Sequence, residues 1–153
     1  MVIRLTDEQV VAGRNRGFEQ YCESKRVGHA DICNSDFPLY DVENNFSQGY
    51  IAEIALSQAI GVPVQKFSHG GADLEGRIEC RASKYDNAHL PIKKGDANER
   101  FFFLLTGRDD VWQVRGWIYA DCGKKERYWK RLAGTALQYW IPQSELLPLD
   151  LWG

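Results

Sequence analysis

One stretch limits what this chain can fold into more than any other. Phe101-Phe102-Phe103-Leu104-Leu105 is an unbroken apolar run ending in Thr106, and Val111 to Tyr119 follows it across Gly107-Arg108-Asp109-Asp110. Side chains of a strand alternate between two faces, so five successive apolar residues describe a strand buried on both. Arg100 to Thr106 is therefore expected to be a central strand, with Val111 to Tyr119 joined to it through a turn. At five residues the run is far short of the ~20 needed to span a bilayer. The 153 residues suffice for one domain with a single core.

The elements around that pair follow from periodicity and caps. Thr6 and Gln9 have capping-box form, and Val10, Val11, Phe18 and Tyr21 supply an apolar stripe for a first helix to about Ser24. Asn45 with Gln48 reads as a second cap. Phe46, Tyr50, Ile54, Ala55 and Ile60 then recur at helical spacing up to Gly61, a C-terminal stop. Pro63 to Phe67 is a short β-prone run, His69-Gly70-Gly71 a turn, and Ala72 to Leu74 with Arg77 to Ala82 a hairpin around Glu75-Gly76. Leu90 to Ile92 is a further short strand. A basic helix is expected from about Lys124 to Arg131, then a last strand at Tyr139-Trp140-Ile141 and a closing turn capped by Ser144. This order gives an α+β or mixed α/β fold, a single domain with a central mixed sheet flanked by helices.

Composition removes several functional classes. Nineteen basic residues against 21 acidic ones give a net charge of −2, which excludes a surface built throughout to grip nucleic acid but leaves room for a local basic patch. Cys22, Cys33, Cys80 and Cys122 form no CxxC pair and have no histidine at ligand spacing, so they read as reduced, mostly buried thiols. His29, His69 and His89 each stand alone, as solvated loop residues do. The amino terminus lacks the basic start, apolar middle and cleavage site of a secretory signal, which places the protein in a cytoplasm, or a host's cytoplasm if phage-encoded.

The chemistry is expected between Gly71 and Lys84. Asp73 closes one strand of the hairpin and Glu79 lies in the next, so a tight turn brings the two carboxylates together at one end of the sheet. Glu79 and Arg81, two apart on a strand, project from the same face. Neighbouring carboxylates repel and are costly to desolvate, and a hard divalent cation, Mg²⁺ or Mn²⁺, relieves that cost through oxygen-only ligation. The adjacent guanidinium would orient water and offset charge on a phosphorane.

Asp73, a spacer and Glu79-Cys80-Arg81 resemble the signature of the PD-(D/E)xK nuclease-like superfamily. Glu53 on the preceding helix stands at the place of that family's helical acidic residue. Similar small proteins of phages and bacteria carry an Ile-Glu-Val-Arg-like strand, a Phe-rich strand ending in Thr-Gly, a Gly-Trp-Ile strand and a closing Trp-Ile-Pro-Gln-Ser. Here these are Ile78 to Arg81, Phe101 to Gly107, Gly116 to Ile118 and Trp140 to Ser144, over roughly residues 46–148. The resemblance implies a restriction-endonuclease-like core and metal-dependent hydrolysis of phosphodiester bonds in DNA. It also implies Asp73, Glu79 and the Cys80 carbonyl as ligands, with Glu53 acting directly or through water. Arg81 replaces the family's lysine; it stays charged and can only position or stabilise, which leaves Lys84 as a substitute if the strand bends.

Lys124, Lys125, Arg127, Lys130 and Arg131 are expected to track a phosphate backbone from one helix, with Arg14, Arg16, Lys25 and Arg26 a second, weaker patch. Of the tryptophans 112, 117, 129, 140 and 152, at least three are expected in the core. Two other functional classes stand beside the enzyme. One is a catalytically inactive module of the same fold that binds nucleic acid or a protein partner. The other is an oligomer, a homodimer in the simplest case, docked through Leu149 to Gly153.

Overall fold

A computed structural model describes residues 1–26, 39–64 and 72–153. The expected turn at His69 to Gly71, most of the strand Pro63 to Phe67, and Cys33 and His29 lie outside these residues. The chain runs β1 (Val2–Arg4), α1 (Asp7–Arg26), α2 (Leu39–Ile60), β2 (Ile78–Ser83), β3 (Leu90–Ile92), β4 (Phe101–Arg108), β5 (Val111–Tyr119), a four-residue helical turn α3 (Ala120–Gly123), β6 (Trp129–Arg131) and β7 (Leu137–Ile141). The strands form two sheets, ordered β1-β5-β4-β2 and β3-β7-β6. β2 pairs parallel to β4 while β1, β4 and β5 pair antiparallel, so the larger sheet is mixed and the fold is α+β.

The apolar run is buried on both faces for the reason its sequence gives. Phe103 and Leu105 join the core under the helices, whereas Phe102 and Leu104 join a second core under the smaller sheet. On β5, Trp112 and Val114 point to the first core and Ile118 to the second. The change of face follows from a bulge: Leu104 pairs with Gly116 and Leu105 with Val114, which leaves Arg115 as the extra residue. The helices thus cover one face only. The other is covered by three short strands, where a layer of helices was expected.

The capping box at the start of α1 is present, with Thr6 N–H donating to Gln9 Oε1 at 2.9 Å and Gln9 N–H to Thr6 Oγ1 at 3.2 Å. The second expected cap is not. α2 begins at Leu39, so Asn45 lies inside it, and Gln48 instead binds Asp109 at the β4–β5 turn, Nε2 to Oδ1 at 2.8 Å. Gly61, with φ of 71°, does end the helix. Ile51, Ala52, Ala55 and Leu56 are wholly buried, one stripe of α2 against the sheet. α1 packs on α2 with no room to spare: a Cβ on Gly13 would lie 2.6 Å from Ile51 Cγ1, and one on Gly17 2.4 Å from the Cα of Ser47.

The basic helix expected at 124–131 does not form. Glu126–Tyr128 is a single 3₁₀ turn and Trp129–Arg131 is an edge strand whose Trp129 ring packs on Tyr139 at 4.7 Å. Ser144 caps nothing, because it lies inside the 3₁₀ turn Gln143–Glu145. Trp112 is core, and Trp117 and Trp152 pack against it. Cys22 and Cys122 are exposed, contrary to the expectation of buried thiols.

Candidate active site

The segment before β2 is fixed by Leu74, wholly buried and bridged to both Val64 and Ile78. Glu75 and Gly76 then take positive φ of 49° and 72°, and Arg77 N–H donates back to the Leu74 carbonyl at 3.2 Å, the pattern of a tight primed turn. The expected hairpin is thus reduced to one bridge and a turn. Its register is what matters: with Leu74 opposite Ile78, Asp73 stands opposite Glu79, where directly opposed side chains share a face. The Cys80 N–H donates to Asp73 Oδ2 at 2.7 Å and holds that carboxyl against the start of β2, the free edge of the larger sheet.

Glu53, a turn beyond Tyr50 on α2, completes the group. The Asp73 carboxyl is in hydrogen-bond contact with both Glu53 and Glu79, so three acidic groups meet in a row with Asp73 in the middle. Burial, then the charge of Asp73, pushes the Glu53 carboxyl up to about 9. Glu53 is therefore protonated at neutral pH and donates to Asp73, which is how two buried carboxyls tolerate contact. Burial also raises Asp73, opposed by the Cys80 N–H and the charge of Arg81. Glu79, only 7% exposed, is raised by burial and by Asp73 against the pull of Arg81 and Arg100.

Both Glu79 oxygens accept from arginine: Oε2 from Arg81 Nη1 at 3.2 Å, and Oε1 from Arg100 Nη1. As expected, Glu79 and Arg81 share a face. Arg81 is committed throughout, its Nε donating to the Pro91 carbonyl at 3.3 Å, its Nη2 to Asp96 Oδ2 at 3.0 Å, and its guanidinium lying over the Phe102 ring at 4.9 Å. Lys84 is exposed beyond the end of β2, with its Nζ over the Tyr85 ring at 5.2 Å, and does not join the carboxyls. The substitute cation offered by the sequence is therefore not placed at the site.

Of the five basic residues expected on one helix, Lys124 is a structural pin, its Nζ donating to the carbonyls of Lys94 and Asp96 and to Asn98 Oδ1. Arg127 lies over Tyr128 and donates to its hydroxyl. Lys125, Lys130 and Arg131 are exposed but belong to a loop and an edge strand, so no common helical face gathers them. In the second patch, Arg14 pairs with Asp109 and Arg26 with Glu23. Reasoning from the sequence missed Arg100, Asp96 and Tyr50. Arg100 is remote from Glu79 in the chain and meets it where β2 pairs with β4, and Asp96 joins through Arg81.

Carboxyl oxygens are the donor type that a hard divalent cation takes. In their present positions, however, no three His, Cys, Asp or Glu side chains among the described residues are disposed to hold a metal ion. Here a proton on Glu53 and two guanidinium groups on Glu79 offset the carboxyl charge. A comparison with protein-family models, curated proteins and solved structures returns no match to this chain. Among the described residues no helix is long and apolar enough to cross a membrane.

Proposed function

We propose that the chain is a divalent-metal-dependent nuclease that hydrolyses phosphodiester bonds in DNA. The observation that carries this reading is the meeting of Glu53, Asp73 and Glu79, from a helix, a turn and an edge strand, beside Arg81 and Arg100. Buried carboxyls in contact destabilise a fold, and their assembly with cations at an open sheet edge is what an anionic ester and a cation would use. The restriction-endonuclease-like core belongs to the same proposal, supported by the mixed sheet and by Glu53 on the helix packed against it.

In this reading Asp73 and Glu53, with Glu79, would hold Mg²⁺ or Mn²⁺. When bound, the ion supplies an acidified water and neutralises phosphate charge. Arg81 would not take part as a base, since a guanidinium stays charged, and each of its three nitrogens already donates, to Glu79, Asp96 and Pro91. Its work is to hold the Glu79 carboxylate and the 93–98 loop in place. Arg100, which also donates to Glu79, would offset charge developing on phosphate. The engagement of all three Arg81 nitrogens also favours a second reading, an inactive module of this fold that binds nucleic acid or a protein partner.

One experiment separates the two: incubation of single-stranded, duplex and branched DNA with the protein in Mg²⁺ or Mn²⁺, alongside Asp73→Asn and Glu79→Gln. Cleavage lost in both variants supports the nuclease. Binding without cleavage by the wild type supports the module, and cleavage that survives both substitutions removes this site from consideration.

A further inference from the structure

The smaller sheet turns one face to the core and one away from it. Leu90, Ile92, Tyr139 and Ile141 join the second core, and they alternate along β3 and β7 with Pro91 and Trp140, which do not. On that outer face Trp140 stands opposite Pro91, and Lys130 of β6, opposite Gln138, is its diagonal neighbour. Trp140 is half-buried and makes no ring or cation contact among the described residues; its Nε1 donates to the Ala136 carbonyl at 3.4 Å. Lys130 and Arg131 are exposed, with no ion pair or side-chain hydrogen bond among the described residues. β3, β6 and β7 hold no acidic residue. An aromatic ring without an aromatic partner thus lies beside open cations. The same face is tied to the carboxyls. Pro91 has no N–H to give to β7, and its carbonyl accepts from Arg81 Nε at 3.3 Å, while Arg81 Nη1 donates to Glu79. One residue of β3 therefore separates the Glu79–Arg81 pair from Trp140.

We propose that the outer face of the smaller sheet binds single-stranded DNA leading away from the carboxyls, with a base stacked on Trp140 and phosphates held by Lys130 and Arg131. The proposal rests on the nuclease reading for its substrate class. The chemistry of the face selects the occupant: a ring with no aromatic partner stacks on any base, the open cations complement the backbone charge, and nothing acidic on the three strands opposes it. In a duplex the bases are stacked on one another and closed to the ring.

The test is equilibrium binding of a short labelled oligothymidylate in Ca²⁺, over a range of salt, with gels verifying that the strand stays intact and a duplex of the same length for comparison. Wild type, Trp140→Phe, Trp140→Leu and the double variant Lys130→Gln, Arg131→Gln are compared, and cleavage in Mg²⁺ and Mn²⁺ is measured in parallel. Trp140→Leu, apolar but without a ring, is expected to weaken single-strand binding roughly five- to a hundredfold, whereas Trp140→Phe keeps most of the affinity. The double variant alters only exposed side chains, so it is readable if Trp140→Leu folds poorly. It should reduce the slope of log affinity against log salt by about 1.4, the share of two phosphates on a single strand. Equal single-strand binding by wild type and Trp140→Leu, an unchanged salt slope in the double variant, or tighter binding of the duplex than of the single strand overturns the proposal while leaving any cleavage activity intact. Trp140-dependent binding by a wild type that does not cleave keeps the proposal and removes the nuclease, and a wild type that neither binds nor cleaves overturns both.

Discussion

At the residue scale the site is a balance between protons and guanidinium groups. Glu53 takes up a proton on folding, because its carboxyl moves from an ordinary 4.5 to about 9. Its contribution to stability is therefore fully present below pH 4.5 and is lost as pH rises through about 9, at up to ~1.4 kcal/mol per unit. Urea unfolding followed against pH should show stability declining across that window, and Glu53→Gln, which keeps the hydrogen bond to Asp73 without a titrating proton, should flatten the decline and stabilise the protein at its alkaline end. A wild-type profile that is flat or rises over this range would contradict the contact. Arg81 makes a different prediction. Arg81→Lys keeps the charge but cannot serve Pro91, Glu79 and Asp96 together, so a loss of about 1–3 kcal/mol in urea unfolding is expected.

At the scale of elements, two packings decide whether the residues meet. α1 must approach α2 closely for Arg16 to reach Tyr50, and Gly17 permits it. Gly17→Ala raises intrinsic helix propensity by about 1 kcal/mol, yet its Cβ would meet the backbone of Ser47. Overpacking outweighs propensity here, and the variant should be destabilised by about 1–3 kcal/mol in urea unfolding; a stabilised variant would show that the helices are not so close. On the sheet, Trp152 returns to pack edge-on against Phe103 at 4.9 Å, Phe101 at 5.1 Å and Trp117 at 5.2 Å. Phe101 pairs with Ile78 at the start of the strand that carries Glu79, so this tail braces the strand next to β2. Trp152→Ala should cost about 1–3 kcal/mol in thermal or urea unfolding, less than a wholly buried tryptophan.

For the whole molecule, local patterns were legible and partners across the chain were not. The doubly buried β4, the β5 strand, the first capping box and the Asp73–Glu79 turn each announce themselves within a dozen residues, because burial period and turn chemistry are local. The Lys124–Arg131 charges mimic a helical face, but Trp129 pairs with Tyr139, ten positions further along the chain, and that pairing makes an edge strand. Asn45 and Gln48 mimic a cap because both residue types favour one, while the partner of Gln48 is Asp109, far along the chain. Arg100 and Asp96 carry no local signal, since each meets its partner only when distant segments are brought together, whereas Arg16 was legible as one charge of the weaker patch. Two strands of the smaller sheet, at Leu90–Ile92 and within Leu137–Ile141, were legible, but their pairing with Trp129–Arg131 into a separate sheet was not, since a three-residue strand leaves little periodicity to read. What the whole fold does is deliver acidic groups from α2, the turn and β2 to one open edge, and the account stands on their acting as one site. Calorimetric titration of Mn²⁺ into the wild type and Asp73→Asn at neutral pH tests this most directly. The account predicts saturable binding with proton release by the wild type, and binding weaker by roughly tenfold or more when Asp73 is replaced; no binding by the wild type, or equal binding by both proteins, would contradict it.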